Sequence, residues 1–409
     1  MAPPPQNHLE DEDLLADILL RLPPDDPARL VRASAVCKPW RRVLSHPTFS
    51  ARYAAFHGPR SGPPVLGVLH NPDSRELDRF IPTTTSAFRP SSAGGARRKR
   101  HILDCRHDRV VMYDYDDRSS SGEPGYVVWN PITGDEHVIR NVIDELSHAA
   151  VVRTGDSSTS SVIVAFVGVD NPEEDCWVAQ SQFYSPDTGE WSLHVYINLS
   201  LEGSYELQDR PAAQIGESLY FLGKSATLLR YRYGLARDYF ERRARSDNVL
   251  TVIHPPADAS RNLLRRGHAI VMAAPDQNEI RLGILYRQKL RLWAMVDKEY
   301  SPGTILNSVG QWGARIVVDL EPVLPWPVGD NNAKAKERVS LTVAAEIPNF
   351  IFATKGKDGV FALDLESLRI RKLCDMGESD GFFPFVSYYA HSWLLSVASS
   401  KLPESAGSR

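Results

Sequence analysis

Residues 9–49, LEDEDLLADILLRLPPDDPARLVRASAVCKPWRRVLSHPTF, contain three short segments with the apolar spacing of helices. The first, Glu10–Leu22, begins with four acidic residues, which favour a helix N-terminus because the first backbone amides of a helix lack partners. Pro23 and Pro24 end the segment. Its large apolar residues recur at helical spacing and share one broad stripe: Leu14, Leu15, Ile18, Leu19 and Leu22.

Two further helices are expected in the same stretch. Asp25 and Asp26 can cap a second helix, which has Pro27 just inside its first turn and carries Leu30, Val31, Ala33 and Val36. A third helix covers 38–44, and one or two more turns are expected as far as Phe56. Three helices in about forty residues enclose too little core to bury this much apolar surface. The surplus face should therefore be covered, either by the rest of the chain or by a partner protein.

The order of residues in this stretch resembles the F-box. The matching residues are Leu14-Leu15, Ile18-Leu19, Arg21-Leu22-Pro23, Leu30-Val31-Arg32, Val36-Cys37-Lys38-Pro39-Trp40-Arg41, Pro47 and Phe49. In that family the element binds the Skp adaptor of SCF-type cullin-RING ubiquitin ligases. The resemblance implies an adaptor-binding face that is formed or supported by Leu9, Leu14, Leu15, Ile18, Leu19, Leu22, Pro23, Leu30, Val36, Cys37 and Trp40.

Length and composition narrow the remaining possibilities. A chain of 409 residues fits one small module and one large one. No apolar run approaches the length of a membrane span, and the first residues lack the basic start and apolar core of a signal peptide, so we expect a disordered lead at 1–8 and no membrane partner. Four widely spaced cysteines argue against zinc or disulfides and for a reducing compartment, the cytoplasm or the nucleus. The net charge of -4 gives no reason to expect nucleic acid as a partner.

After a linker rich in glycine and proline at 58–64, short strand-like runs replace the helical spacing. One unit, a strand, a turn and another strand, occurs around Asn130–Gly134 (NPITG) and again around Ser185–Gly189 (SPDTG). Proline presets the turn and glycine takes the positive-φ position that closes the hairpin. In the second copy apolar residues alternate with polar ones, which predicts a strand with one buried face: Trp191, Leu193, Val195 and Ile197.

Weaker copies of the unit follow at 217–231, 280–318 and 350–373. Sheet-forming units that recur every 40 to 55 residues or so indicate a β-propeller of about six or seven blades. We expect the ring to close by pairing the strand at Val65 with the run at 382–389. The fold class is therefore multidomain, α plus all-β, with a helical unit at 9–57, a propeller at 65–397 and a disordered tail at 398–409.

Several phrases of the C-terminal part are similar to those of plant F-box proteins, especially the large group in grasses. In that group the C-terminal half is an F-box-associated, propeller-like region. The phrases are PPVLG at 63–67, RFIPT at 79–83, LDCRH at 103–107, VVWNPITG at 127–134, DGVF at 358–361 and LDLESL at 363–368. This resemblance names no target protein.

The sequence contains no catalytic motif of the phosphate-loop, zinc-helix or hydrolase-elbow type, and we expect neither cofactor nor metal. The acidic run at 113–117 lacks the ligand spacing of a calcium loop and is interpreted as a strand end. His137 and His194 are interpreted as strand residues rather than ligands. The basic cluster at 97–100 is either a solvated loop or a nuclear-import signal.

The resemblances imply a non-catalytic, substrate-recognition subunit of an SCF-type ubiquitin ligase. The F-box would bind the Skp-family adaptor, and through it the cullin-RING ligase, while the propeller binds a target protein. The alternative function is a propeller that binds a ligand or scaffold partner, with the F-box serving as a structural cap.

Overall fold

The computed structural model describes most of residues 12–387. The described ranges are 12–24, 28–57, 65–71, 80–91, 100–115, 125–140, 142, 147–154, 161–173, 176–199, 205–237, 249–259, 268–274, 279–286, 288–296, 312–313, 315–320, 322, 339–343, 350–355, 358–376 and 381–387. The predicted lead, linker and tail lie outside these ranges, as do Leu9 and residues 388–397.

Four helices form a small unit at the N-terminal end of the described chain: α1 (Glu12–Leu20), α2 (Ala28–Ser34), α3 (Lys38–Leu44) and α4 (Pro47–His57). The bounds of α3 are those predicted. The helix expected up to Phe56 is a full element of three turns. The core of the unit consists of Leu15, Ala16, Leu19, Leu20, Leu30, Ala33, Val43, Leu44, Phe49 and Tyr53.

The rest of the described chain forms six antiparallel sheets, which are the six blades of a β-propeller. Blade 1 contains β1 (Val65–His70), β2 (Phe80–Pro82) and β24 (Phe382–Val386); blade 2 contains β3 (Arg100–Arg106), β4 (Arg109–Asp114), β5 (Gly125–Trp129) and β6 (Glu136–Ile139). Blade 3 contains β7 (His148–Thr154), β8 (Ser161–Glu173), β9 (Cys176–Ser185), β10 (Glu190–Trp191) and β11 (Val195–Asn198); blade 4 contains β12 (Ala213–Ile215), β13 (Ser218–Leu222), β14 (Leu228–Arg232) and β15 (Leu250–Ile253), with α5 (Tyr233–Arg237) after β14. Blade 5 contains β16 (His268–Ala273), β17 (Glu279–Tyr286), β18 (Lys289–Val296) and β19 (Arg315–Asp319); blade 6 contains β20 (Val339–Thr342), β21 (Phe350–Lys355), β22 (Val360–Asp364) and β23 (Ile370–Cys374).

The first and last parts of the propeller close the ring within blade 1. Strand β1 pairs antiparallel with β24, so that Val65 lies opposite Val386 and His70 opposite Phe382. This is the closure predicted from the sequence. The aromatic rings of Phe80, Phe88 and Phe385 pack against one another beside the pairing. Since β24 also contacts β3, the last strand lies innermost in its blade.

The turns predicted to close two hairpins have the expected backbone, because Gly134 and Gly189 have φ of 85° and 72°. The strand predicted after the second turn is interrupted, however. The hydroxyl of Ser192 accepts a hydrogen bond from the Phe183 backbone N–H (2.9 Å), which ends the ladder between β9 and β10. The predicted inward position of Leu193 is therefore wrong: this side chain is exposed, and regular pairing resumes only at Val195.

We call the end of the propeller at which β1 begins the helical end, because the helical unit precedes β1 in the chain. Val31 of α2 packs against both the helical core and the cluster of blades 1 and 2 that contains Leu66 and Ile132. Strand β1 enters the propeller at this end. At the opposite end, which we call the far end, β3 and β7 begin near Asp209, and Gly381, just before β24, lies beside the Asp209 carbonyl.

Candidate functional site

Four large apolar side chains are exposed among the described residues of the helical unit: Leu14 by 43%, Ile18 by 44%, Val36 by 63% and Phe56 by 57%. On α1 they alternate with buried positions, since Leu15 and Leu19 are each 1% exposed. One side of α1 therefore completes the core, while the adjoining side presents aliphatic surface to solvent. Leu14 and Ile18 lie one helical turn apart, so they form adjoining apolar surface, which makes this side of α1 a candidate interaction site.

The residues predicted for adaptor binding fall into three groups. Leu15, Leu19 and Leu30 are buried in the core of the unit, and they can only support a docking surface. Leu22, Pro23 and Trp40 are half-buried, and Leu14, Ile18, Val36 and Cys37 are exposed. The predicted stripe on α1 is therefore partly buried in the core and partly exposed to solvent. Phe56 was missed, because the spacing of its helix did not show which face is buried.

Two ion pairs tie α1 to its neighbours. Arg42 of α3 lies 2.9 Å from Glu12, and Arg52 of α4 lies 2.8 Å from Asp17. Both pairs are exposed and contribute little to stability. Two hydrogen bonds to carbonyls near the end of α1 also hold α4: the Tyr53 hydroxyl donates to Leu22 O (2.6 Å), and His57 Nε2 lies 2.7 Å from Leu20 O. These contacts fix the orientation of α1 and hence of its exposed side chains.

Residues 11–51 match the family model described as the F-box domain. This stretch is an F-box domain. The chain therefore consists of an F-box domain followed by a six-bladed β-propeller, an architecture typical of non-catalytic adaptors. No curated protein sequence matches the chain.

Solved structures share only a general likeness with the chain. A chain of the mitotic checkpoint complex is 10% identical, with 74% of each chain covered and a TM-score of 0.32. The Dos1 propeller is 9% identical over 71% of this chain and 63% of its own, with a TM-score of 0.33. A post-proline cleaving enzyme from Rickettsia typhi is 9% identical over 73% of this chain and 39% of its own, also with a TM-score of 0.33. These values carry no argument about function.

Inside the propeller, charged side chains hold neighbouring blades together. Asp104 and Arg106 of β3 are fully buried and form a two-point pair, with Arg106 Nη2 2.9 Å from Asp104 Oδ1 and Arg106 Nε 2.7 Å from Asp104 Oδ2. Asp104 also accepts from the Val151 backbone N–H of blade 3 (2.9 Å), and Arg106 donates to Ala212 O of blade 4 (2.7 Å). The pair therefore satisfies one buried backbone group in each of two other blades.

The turn after β3 holds two titratable groups at the helical end of the channel. His107 and Asp108 both have positive φ, 53° and 56°, which is uncommon for residues other than glycine. Burial raises the pKa of Asp108 to about 6, although Ser387 donates a hydrogen bond to it. Burial lowers the pKa of His107 to about 3, and the nearby Arg153 and Arg106 act in the same direction. Near pH 7 the imidazole is therefore neutral, and the carboxylate is ionised at a cost.

A second polar cluster lies at the far end of the channel, and sequence reasoning did not predict it. Asp209 Oδ1 lies 3.4 Å from His148 Nε2, and Asp209 Oδ2 lies 3.7 Å from His101 Nε2. Contacts with His101 and then His148 hold the pKa of Asp209 below its usual range. The Asp209 side chain remains 60% exposed. Within the part of the chain that the structure describes, no group of histidine, cysteine or acidic residues has the arrangement of a metal site.

Three other residues singled out in the sequence lie in or beside strands of the propeller: Arg100, His137 and His194. Arg100, assigned to a solvated or nuclear-import cluster, is buried in β3 and pairs with Asp114 and Glu136, each at 2.9 Å. His137 is half-buried and stacks on Tyr184, whereas His194 is exposed in the break before β11.

Among the helices that the structure describes, none combines the length and hydropathy needed to cross a bilayer.

Proposed function

We propose that this protein is the substrate-recognition subunit of an SCF-type ubiquitin ligase, whose F-box binds a Skp-family adaptor and whose propeller binds a target protein. The observation that carries the proposal is the exposure of Leu14, Ile18, Val36 and Phe56 on the F-box domain. Full burial of an aliphatic side chain contributes about 1.5 to 3 kcal/mol before association costs are subtracted, so a few such residues suffice for binding. Membership of the plant, grass-type group and residence in the cytoplasm or nucleus belong to the same proposal.

The arrangement of the two domains supports a receptor. The helical unit contacts the propeller through Val31, which packs against the cluster of blades 1 and 2. In this proposal the far end of the propeller binds a target protein, while the F-box holds the adaptor. The chemistry would be supplied by the ligase partners, and the rate gain would come from proximity of the bound target.

The alternative of a structural cap is less well supported. A helical cap that only closes the propeller should bury its apolar residues against the blades. Val31 does so in part, but Leu14, Ile18 and Val36 are exposed in the structure that also includes the described propeller. A cap does not explain why these side chains stay in contact with water.

The test is affinity purification of the full-length protein and a Leu14→Asp, Ile18→Asp variant from cells, followed by mass spectrometry. Both substitutions lie on the exposed side of α1, so the fold should be preserved. A matched control is Ile316→Asp, which places the same charge on an exposed position (53%) of the propeller strand β19. We expect adaptor and cullin with the wild type and the control, and their loss with the double variant. Retention of both partners by the double variant would refute the proposal.

A further inference from the structure

We propose that the far end of the channel binds a cationic side chain, lysine or arginine, of the target protein, with the carboxylate of Asp209 as its counter-ion. This inference rests on the proposed receptor function and names the chemistry of its target. The site is defined here as Asp209, His101 and His148.

The carboxylate is held at a point where several blades meet. His148 begins β7 in blade 3, His101 lies in β3 of blade 2, and Asp209 precedes β12 of blade 4. Gly381 of blade 1 lies beside the Asp209 backbone. An ionised group fixed by contacts from separate blades needs little reorganisation when a ligand arrives, which favours binding.

The histidines are themselves oriented by neighbours. Ser147 Oγ lies 2.9 Å from His148 Nδ1, which leaves His148 Nε2 directed at Asp209. Asn71 accepts from the Ile102 backbone N–H (2.7 Å) and donates to Ile102 O (3.0 Å), and its Nδ2 lies 3.4 Å from His101 Nε2. The imidazoles therefore frame the carboxylate without covering it, since its side chain stays 60% exposed.

Two basic residues, Arg210 and Lys224, already have other partners. Arg210, the next residue, donates through Nη1 to Leu341 O of blade 6 and through Nε to the Gln208 side chain (3.1 Å), so its guanidinium is directed elsewhere. Lys224 is paired with Glu206.

Aromatic rings lie on β4 and just after it, next to the strand that carries His101. Tyr113 lies directly opposite His101 in the pairing of β3 and β4, and Tyr115 follows two residues later with 51% of its surface exposed. The two rings are 4.7 Å apart and nearly perpendicular, at 83°. Ring faces attract ammonium and guanidinium groups, and the Asp209 carboxylate, which contacts the His101 opposite Tyr113, adds charge pairing. Together these features match a basic side chain better than an acidic or apolar one.

The experiment selects binders to the immobilised full-length protein from a phage-displayed library of random peptides. The selected peptides are then measured as synthetic, fluorescently labelled peptides on the wild type and on Asp209→Asn. Asp319→Asn is the control, because it removes an exposed carboxylate (48% exposed) from the outer strand of blade 5. Thermal unfolding of all three proteins confirms that they are folded. No adaptor is present, so loss of adaptor binding in the F-box experiment and failure here are separate results.

We expect the selected peptides to share a lysine or arginine, and Asp209→Asn to weaken their binding at least about tenfold, which corresponds to about 1.4 kcal/mol. Asp319→Asn should leave the affinity unchanged. Selection of peptides without a shared basic residue, equal affinity for wild type and Asp209→Asn, or no enrichment over the starting library would each overturn the proposal.

Discussion

Substitution of Leu19 by alanine should loosen the F-box domain far more than substitution of its neighbour Ile18. Leu19 is 1% exposed in the helical core and Ile18 is 44% exposed, although both belong to the stripe recognised in the sequence. Removal of a buried leucine side chain costs about 2 to 5 kcal/mol, because the transfer term and the cavity add. The core of so small a unit has few other contacts to compensate.

Hydrogen exchange measured by mass spectrometry on the full-length protein gives the local readout. A loss of about 3 kcal/mol raises exchange in the affected segment by roughly a hundredfold, if exchange follows the opening equilibrium. We expect this increase in peptides from 12–57 for Leu19→Ala, little change for Ile18→Ala, and unchanged propeller peptides in both variants as the internal control. Equal exchange in the two variants would refute the division of α1 into a core side and a docking side.

Three further predictions concern the propeller. Burial raises the pKa of Asp108 to about 6 in the folded protein. The folded state is therefore favoured at low pH, where Asp108 is protonated, and it loses stability as the pH rises through that value and the buried carboxylate ionises. Asp108→Asn should therefore add up to about 3 kcal/mol to the free energy of unfolding at pH 8 and nothing at pH 4, as measured in urea titrations; a gain that does not depend on pH would contradict this. Gly359→Ala should lower the thermal midpoint more than Gly189→Ala, because an added Cβ would lie 2.3 Å from Cys374 O at Gly359 and meets nothing within 4 Å at Gly189, although both have positive φ; equal shifts would count against the described packing of blade 6. Asp104→Ala should destabilise by about 3 to 5 kcal/mol in chemical denaturation because Arg106 keeps its buried charge, and adding Arg106→Ala should recover part of that loss; fully additive effects would argue against the pair.

The helical unit and the propeller class could be predicted because local signals agreed with the fold. Pro39 and the apolar spacing after it predicted α3 with the observed bounds. The proline and glycine of the turns at 130–134 and 185–189 predicted hairpins whose glycines have positive φ. The apolar run at 382–389 was a suitable pairing partner for the strand that begins at Val65, and the ring closes by this pairing.

Other features could not be predicted, since they depend on contacts between distant parts of the chain. Whether Leu14 or Leu15 faces the core depends on how α1 meets α3 and α4, and the broad stripe allows both. The break at Ser192 depends on one side-chain hydrogen bond to Phe183. The sequence does not decide between six and seven blades, because the weaker copies lack the proline and glycine turn signal.

The cluster at the far end could not be found in the sequence either. His101, His148 and Asp209 are separated by many residues, in three different blades, and none lies in a recognisable motif. They meet only because the blades share one axis. A lone histidine or aspartate in a strand pattern carries no signal of such a meeting.

The most direct test of the account is the binding of a purified Skp-family adaptor to the purified full-length protein, measured by calorimetry. The account predicts a complex of one adaptor per chain for the wild type and for Ile316→Asp, and a loss of at least about a hundredfold in affinity for Leu14→Asp, Ile18→Asp, because two charges would be buried against apolar partner surface. Equal affinity of the wild type and the double variant, or no binding by either, would contradict the assignment of this face as the adaptor-docking surface.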